Sequence, residues 1–154
     1  MKLGEVISIH IAPEAGALPQ SIRQVQAVAG MGLEGDRYYL RQDNYAKKWD
    51  ESREVTLIES EALEALARDY KLQISPAESR RNIATRGVAL NHLVGQEFRI
   101  GQAILRGIRL CEPCSHLEQL TGLEVRSGLV HRGGLRAQIV QSGTVKVGDS
   151  IELM

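Results

Sequence analysis

The stretch EFRIGQAILRGIRL, residues 97–110, reads as two β-strands, Glu97–Ile100 and Ala103–Leu110, joined by a turn at Gly101-Gln102. Short β-like runs of the same kind recur on both sides of it: Val6–Ile11, Ser21–Ala29, Glu54–Ile58, Asn82–Thr85, Leu135–Val140, Thr144–Val147 and Ser150–Leu153. A second turn lies at Gly148-Asp149, and most of the 15 glycines fall between such runs. The fold class is therefore mainly β, a barrel or a sandwich. One helix interrupts the strands. Ala62, Leu63, Leu66, Ala67 and Tyr70 repeat at helical spacing over Ser60–Tyr70, and Glu59, Glu61 and Glu64 near its start favour the helix dipole. Ser75-Pro76-Ala77-Glu78 combines a capping box with a proline at the first helical position, which predicts a short turn delivering Arg80-Arg81-Asn82. Tyr38 to Ser52 is polar, aromatic and unperiodic, and reads as a long surface loop.

A chain of 154 residues with 43% apolar content can bury one core, so a single domain over 1–154 is expected. Nineteen basic residues balance nineteen acidic ones, which argues against a polyanion-binding protein with a global positive field. No nucleic-acid partner is expected. Met1-Lys2 leads into a strand-like run without a long apolar leader, and no stretch approaches membrane-spanning length. The expectation is a soluble, cytoplasmic protein with no membrane partner. In a reducing compartment, two closely spaced cysteines suit catalysis or metal binding better than a disulfide framework.

Those cysteines close the apolar run as CEPC, residues 111–114, between the strand Ala103–Leu110 and an expected short helix over Ser115–Leu120. A thiol acts as nucleophile or metal ligand only as thiolate, and cations or a helix N-terminus nearby promote that form. Pro113 cannot donate to a ladder, so the strand should stop there. Three readings stay open for the pair: a zinc site completed by His116 and His131, a dithiol redox motif, or one functional thiolate beside a cysteine that packs as a small apolar side chain. Elsewhere, GMGLEGDR (30–37) supplies three glycines, but a polar loop follows instead of the helix a dinucleotide fingerprint needs. It reads either as a ligand-facing loop or as a glycine bend with Asp36 capping its own turn. Arg80, Arg81, Arg86, Arg132 and Arg136, with Asn82 following the first two, offer guanidinium forks for phosphate or carboxylate, against the plainer account of surface ion pairs. HRGGLR (131–136) places a glycine pair where a ligand, or a hairpin bulge, would need close backbone approach. His10, His92 and His116 lack such neighbours and read as structural.

Taken in order, GLEGDR (32–37), REVTLIE (53–59), RRNIATRGVAL (80–90), GIRLCEPC (107–114) and HRGGLRA (131–137) resemble the successive signatures of MOSC domains. These are the C-terminal domains of molybdenum cofactor sulfurases, found also as small stand-alone bacterial proteins, and the resemblance covers nearly the whole chain. It implies a barrel similar to the one inserted in pyruvate kinase, decorated by a few short helices. It also implies an essential cysteine that handles sulfur or binds the molybdenum of a pterin cofactor. The matching position is Cys114, as catalytic residue and metal ligand. By the same resemblance Asp36, Arg37, Arg81, Asn82, Arg86, His131 and Arg132 fall on positions that line a cofactor cleft.

The chain also departs from that pattern. Many relatives carry histidine after the Gly-Asp-Arg triplet, where Tyr38-Tyr39 stands here, and larger members add further domains. Electrons or sulfur would then come from a partner. Two enzymatic expectations follow. In one, Cys114 thiolate holds molybdenum of a pterin cofactor for reduction of N-hydroxylated small molecules, fed by an electron-donor protein. In the other, Cys114 is a sulfur carrier that accepts a persulfide from a pyridoxal-phosphate-dependent cysteine desulfurase, pyridoxal phosphate being bound only by that partner. A non-catalytic binding barrel is the third expectation, and it leaves Cys114 without a task.

Overall fold

The computed structural model describes residues 2–14, 17–40, 50–113, 118 and 125–154. Among the described residues the strands are β1 (Lys2–Ile11), β2 (Gln20–Ile22), β3 (Gln24–Val28), β4 (Gly32–Leu33), β5 (Val55–Glu59), β6 (Ile83–Arg86), β7 (Glu97–Ile100), β8 (Ala103–Leu110), β9 (Leu135–Gln141), β10 (Gly143–Lys146) and β11 (Ser150–Leu153). The helices are α1 (Arg37–Leu40), α2 (Ser60–Tyr70) and α3 (Arg126–Leu129).

Seven strands hydrogen-bond in the order β11-β7-β8-β9-β5-β6-β1, and β1 pairs back onto β11 to close a barrel. Closure leaves no free edge along that ring. Alternation fills it: Val6, Ile9, Val55, Leu57, Ile83, Phe98, Ile100, Leu105, Leu135, Ala137 and Ile151 form one buried apolar cluster. Each fully buried Leu, Ile or Phe contributes roughly 1.5–3 kcal/mol relative to exposure. Ile58 and Ala84, on the other face of β5 and β6, join Ala62, Leu63 and Leu66 of α2 with Val125 and Leu129 in a second cluster outside the barrel. β5 and β6 are the parallel pair, and α2 is the crossover that a parallel pair requires. Lys71 ends α2 in the left-handed conformation, its N–H donating to the Leu66 carbonyl.

The expected strands Glu97–Ile100, Ala103–Leu110 and Ser150–Leu153 and the helix Ser60–Tyr70 occur with those bounds. Ser21–Ala29 is not one strand. It breaks at Arg23, because β2 pairs with β1 in the barrel while β3 pairs with β10 and β4 in a separate three-stranded sheet. β4 itself lies within GLEGDR, where patterning offers a ligand-facing loop or a glycine bend and no strand. The expected loop from Tyr38 to Ser52 is not loop at its two ends: Tyr38–Leu40 lie in α1, directly after the glycine run, and Glu51–Arg53 form a 3-10 turn, with Asp50 accepting from the Ser52 N–H at 2.8 Å. Residues 41–49 lie outside the described residues, as does the expected helix over Ser115–Leu120 apart from Glu118. No helix among the described residues is long and apolar enough to cross a membrane.

Candidate functional site

A rank of outward-facing residues crosses the barrel near one end. Register sets Arg109 of β8 opposite Arg136 of β9, and Arg136 opposite Thr56 of β5. Asn82, just before β6, follows next to Thr56, and His10 of β1 donates its N–H to the Asn82 carbonyl at 2.6 Å. Thr56 alternates with core residues Val55 and Leu57, and Arg136 with Leu135 and Ala137, so the rank faces outside the barrel. Its middle is nevertheless buried. The Asn82 side chain takes the Thr56 N–H at 3.0 Å and the Thr56 hydroxyl at 3.1 Å, and donates to the His10 carbonyl at 3.1 Å. His10 Nδ1 lies 3.0 Å from the Arg81 carbonyl; a carbonyl only accepts, so Nδ1 carries the proton. Burial holds this imidazole below the usual histidine range, although the Arg81 bond opposes the shift. Asn82 is thus a polar rivet between β1, β5 and β6.

Arg81, its neighbour, is also turned to the protein. Nε donates to the Gly133 carbonyl at 2.7 Å, Nη2 to the Cys111 carbonyl at 3.2 Å and Nη1 to the Ser79 carbonyl at 3.4 Å. One planar fork therefore ties the segment after β8 to the segment before β9. The glycine pair serves the same junction. A Cβ on Gly133 would stand 2.4 Å from the Cys111 carbonyl oxygen, and one on Gly134, at φ +119°, 2.0 Å from the Leu57 carbonyl oxygen. Of the two readings of HRGGLR, close approach by the chain's own backbone is the one realised.

Asp36, Arg37 and Arg80 converge at the end of β1. Asp36 is buried, and its Oδ1 accepts from the Ala12 N–H at 2.9 Å while the Arg37 N–H donates to the Ala12 carbonyl. Asp36 Oδ2 is buried without a hydrogen-bond partner among the described residues. Burial raises its carboxyl above the usual range, against the opposing pull of the Ala12 N–H and the Arg37 charge. Arg37 lies over the Tyr38 ring, 4.7 Å from its centre, and donates to the Tyr38 hydroxyl at 2.9 Å. Arg80, held at φ +64° after the Ser75–Glu78 capping box, donates through Nη1 to the Ala17 carbonyl at 2.7 Å. Its Nη2 is buried with no partner among the described residues. Burial first, and then the charge of Arg37, depress its basicity. Two cations crowd one acid here.

The remaining expected residues lie elsewhere. Arg86, at the far end of β6, pairs with Glu64 of α2 on the surface and does not join this cluster. Arg132 is exposed, and its charge acts on Glu59 and Asp69. His131, in the left-handed region at φ +59°, donates both its N–H and Nδ1–H to Glu112, each at 2.7 Å. Cys111 is a free, buried thiol. Cys114 and His116 lie outside the described residues. Among the described residues no group of three or more metal-binding side chains is gathered. Arg80 and Glu112 were absent from the set the resemblance implied. A bulky residue forced past the end of a capped turn was the signal for the first, and the Glu-Pro-Cys sequence for the second.

A closed seven-stranded barrel with three short helices among the described residues is the fold expected of a MOSC domain. A family model of the MOSC domain matches residues 44–152, and the chain belongs to that family. No curated protein is significantly similar to it. Among solved structures, the YuaD protein from Bacillus subtilis is similar with a TM-score of 0.79 at 17% identity, covering 97% of this chain and 94% of that one. YiiM from Geobacillus stearothermophilus gives 0.69 at 13% identity, with 100% and 74% covered. YiiM from Escherichia coli gives 0.65 at 19%, with 97% and 69% covered. At such identities the likeness is one of fold.

Proposed function

We propose that this MOSC domain binds a pterin molybdenum cofactor and acts in the reduction of N-hydroxylated compounds, with an electron-donor protein as partner. The observation that carries the reading is Arg80 Nη2, a buried donor with no acceptor among the described residues, beside Arg37 and beside Asp36 Oδ2, which likewise has no partner among them. An unsatisfied buried polar group costs about 1–3 kcal/mol, and more when charged. A ligand that brings anionic oxygens to the arginines and N–H groups to Asp36 relieves both deficits, and a phosphorylated pterin presents both kinds of group. When bound, the cofactor supplies a metal centre able to accept oxygen. Cys114 thiolate, a soft donor, is its proposed protein ligand. Arg80 and Arg37 neutralise the anionic part, Asp36 orients the heterocycle, and the Tyr38 ring shields Arg37 from water. Arg81 and Asn82 serve by fixing backbone: one locks the Cys111 and Gly133 segments together, the other locks the strands beneath.

The test is cofactor content. Arg80→Ala, made in a host that produces the cofactor, should retain the folded spectrum yet lose most pterin fluorescence, while Arg86→Ala should retain it. Equal pterin content in the Arg80→Ala and unaltered chains would remove the reading.

A further inference from the structure

The ladder between β8 and β9 slips by one residue near its end. Gly107 faces Ala137 and Arg109 faces Arg136, so Ile108 is the extra residue of a β-bulge. The bulge is fixed from its other side. The Gly95 N–H donates to the Gly107 carbonyl at 2.8 Å, the Gly107 N–H donates to the Gln96 carbonyl at 3.0 Å, and a Cβ on Gly107 would stand 2.1 Å from the Leu93 carbonyl oxygen. Consecutive side chains of a regular strand point to opposite faces. Here Ile108 and Arg109 instead line one open groove of about 400 Å³, together with Asp50, Glu51 and Ser52. That volume suits a small molecule, and bulges commonly re-aim side chains beside binding sites.

The charges of the groove are unevenly answered. Arg109 and Arg136 stand directly opposite each other, an arrangement of like charges that destabilises a strand pair. Arg109 is exposed, and its one hydrogen bond among the described residues runs from Nη2 to the Ser52 hydroxyl at 3.4 Å, beyond the usual N–H···O range. Asp50, on which the Arg109 charge acts, is engaged by its own turn: Oδ1 accepts from the Ser52 N–H at 2.8 Å and from the Ser52 hydroxyl, and Oδ2 lies 3.5 Å from Arg53 Nε. The Ser52 hydroxyl bond holds that carboxyl below the usual range, so it stays anionic. We infer that this groove binds a small carboxylic acid as its monoanion, with Arg109 as the anchor and Ile108 as the apolar wall. A carboxylate can take two parallel bonds from the guanidinium while the body of the molecule covers Ile108. A dianion fits poorly, since Asp50 and Glu51 on the same rim repel a second charge. The site is separate from the Asp36–Arg80 cluster. Arg109 lies on β8 and the cluster at the end of β1, with β9, β5 and β6 between them, which is about 19 Å along the barrel wall. The inference is independent of whether a pterin cofactor is held.

The measurement is a saturation-transfer NMR titration of the full chain with benzoate at neutral pH. The parent should bind it saturably with a Kd of about 1 mM, a fragment-scale affinity. Arg109→Gln should weaken binding about tenfold through loss of the charged hydrogen bonds, and Ile108→Ser about threefold through loss of apolar contact, each with an unchanged circular dichroism spectrum. Arg68→Gln, at an exposed arginine paired with Asp69, and Arg80→Ala, in the other cluster, should bind benzoate as the parent does. Inorganic phosphate should compete at least about ten times more weakly than benzoate, and benzyl alcohol should not compete. Equal affinity in Arg109→Gln and the parent, or no saturation in the parent, would overturn the site. So would a loss confined to Arg80→Ala, which would move the ligand to the Asp36 cluster, or phosphate binding as tight as benzoate, which would reduce the groove to an exposed arginine that attracts any anion.

Discussion

At the scale of single residues, Asp36 is kept in the fold at a cost. Its carboxyl is buried, with one oxygen unpartnered among the described residues, and burial raises its folded-state pKa above the unfolded value. Between those two values the folded state holds more protons than the unfolded chain. The stability that protonated Asp36 allows is therefore full below the unfolded pKa and is lost as pH rises through the folded one. Asp36→Asn keeps an oxygen for the Ala12 N–H and removes the buried charge. It should be more stable than the parent in urea at neutral pH, with the difference vanishing in acid; a less stable variant at neutral pH would contradict the account. Asn82 behaves oppositely. Asn82→Ala strands the Thr56 N–H and the His10 carbonyl and should cost roughly 2–4 kcal/mol in urea unfolding. The presence of both residues in site motifs was legible in sequence. Their direction was not, because patterning cannot tell an amide aimed into a ligand cleft from one that rivets three strands.

Among the elements, the junction of β8 and β9 is held by absent side chains as much as by present ones. Gly134→Ala would drive a Cβ into the Leu57 carbonyl at a φ that L-residues rarely adopt. A loss of roughly 2–4 kcal/mol is expected in the denaturant midpoint, from backbone strain and overpacking together. An effect below about 0.5 kcal/mol, the usual range of a surface change, would mean that the two strands are not packed as described. The capping box is milder: Ser75→Ala should cost about 1 kcal/mol. This box and the helix Ser60–Tyr70 were readable because their signals are local. The break of Ser21–Ala29 at Arg23 was not, since it depends on which distant strand, β1 or β10, each half meets.

For the whole molecule, a mainly β fold was legible as a rhythm of short runs and glycine turns, which left barrel and sandwich both open; the barrel and the family came from the resemblance carried by motifs spread along the chain in order. The grouping of the arginines was a different matter. Arg80, Arg81 and Arg86 lie within seven positions of one another, yet one faces the Asp36 cluster, one clamps two loops and one sits on the surface with Glu64. Arg80 turns away at a left-handed φ at the end of the capped turn, Arg81 follows it before β6, and only Arg86 lies on β6 at its far end, so closeness in sequence says little about a shared ligand. Under the proposed function, molybdenum is held through one sulfur, that of Cys114. The most direct measurement is the molar ratio of molybdenum to protein, taken on the parent and on Cys114→Ser after expression in a host that makes the cofactor. Molybdenum should approach one atom per chain in the parent and fall to background in Cys114→Ser with the fold intact. Equal metal content in both, or none in either, would contradict it.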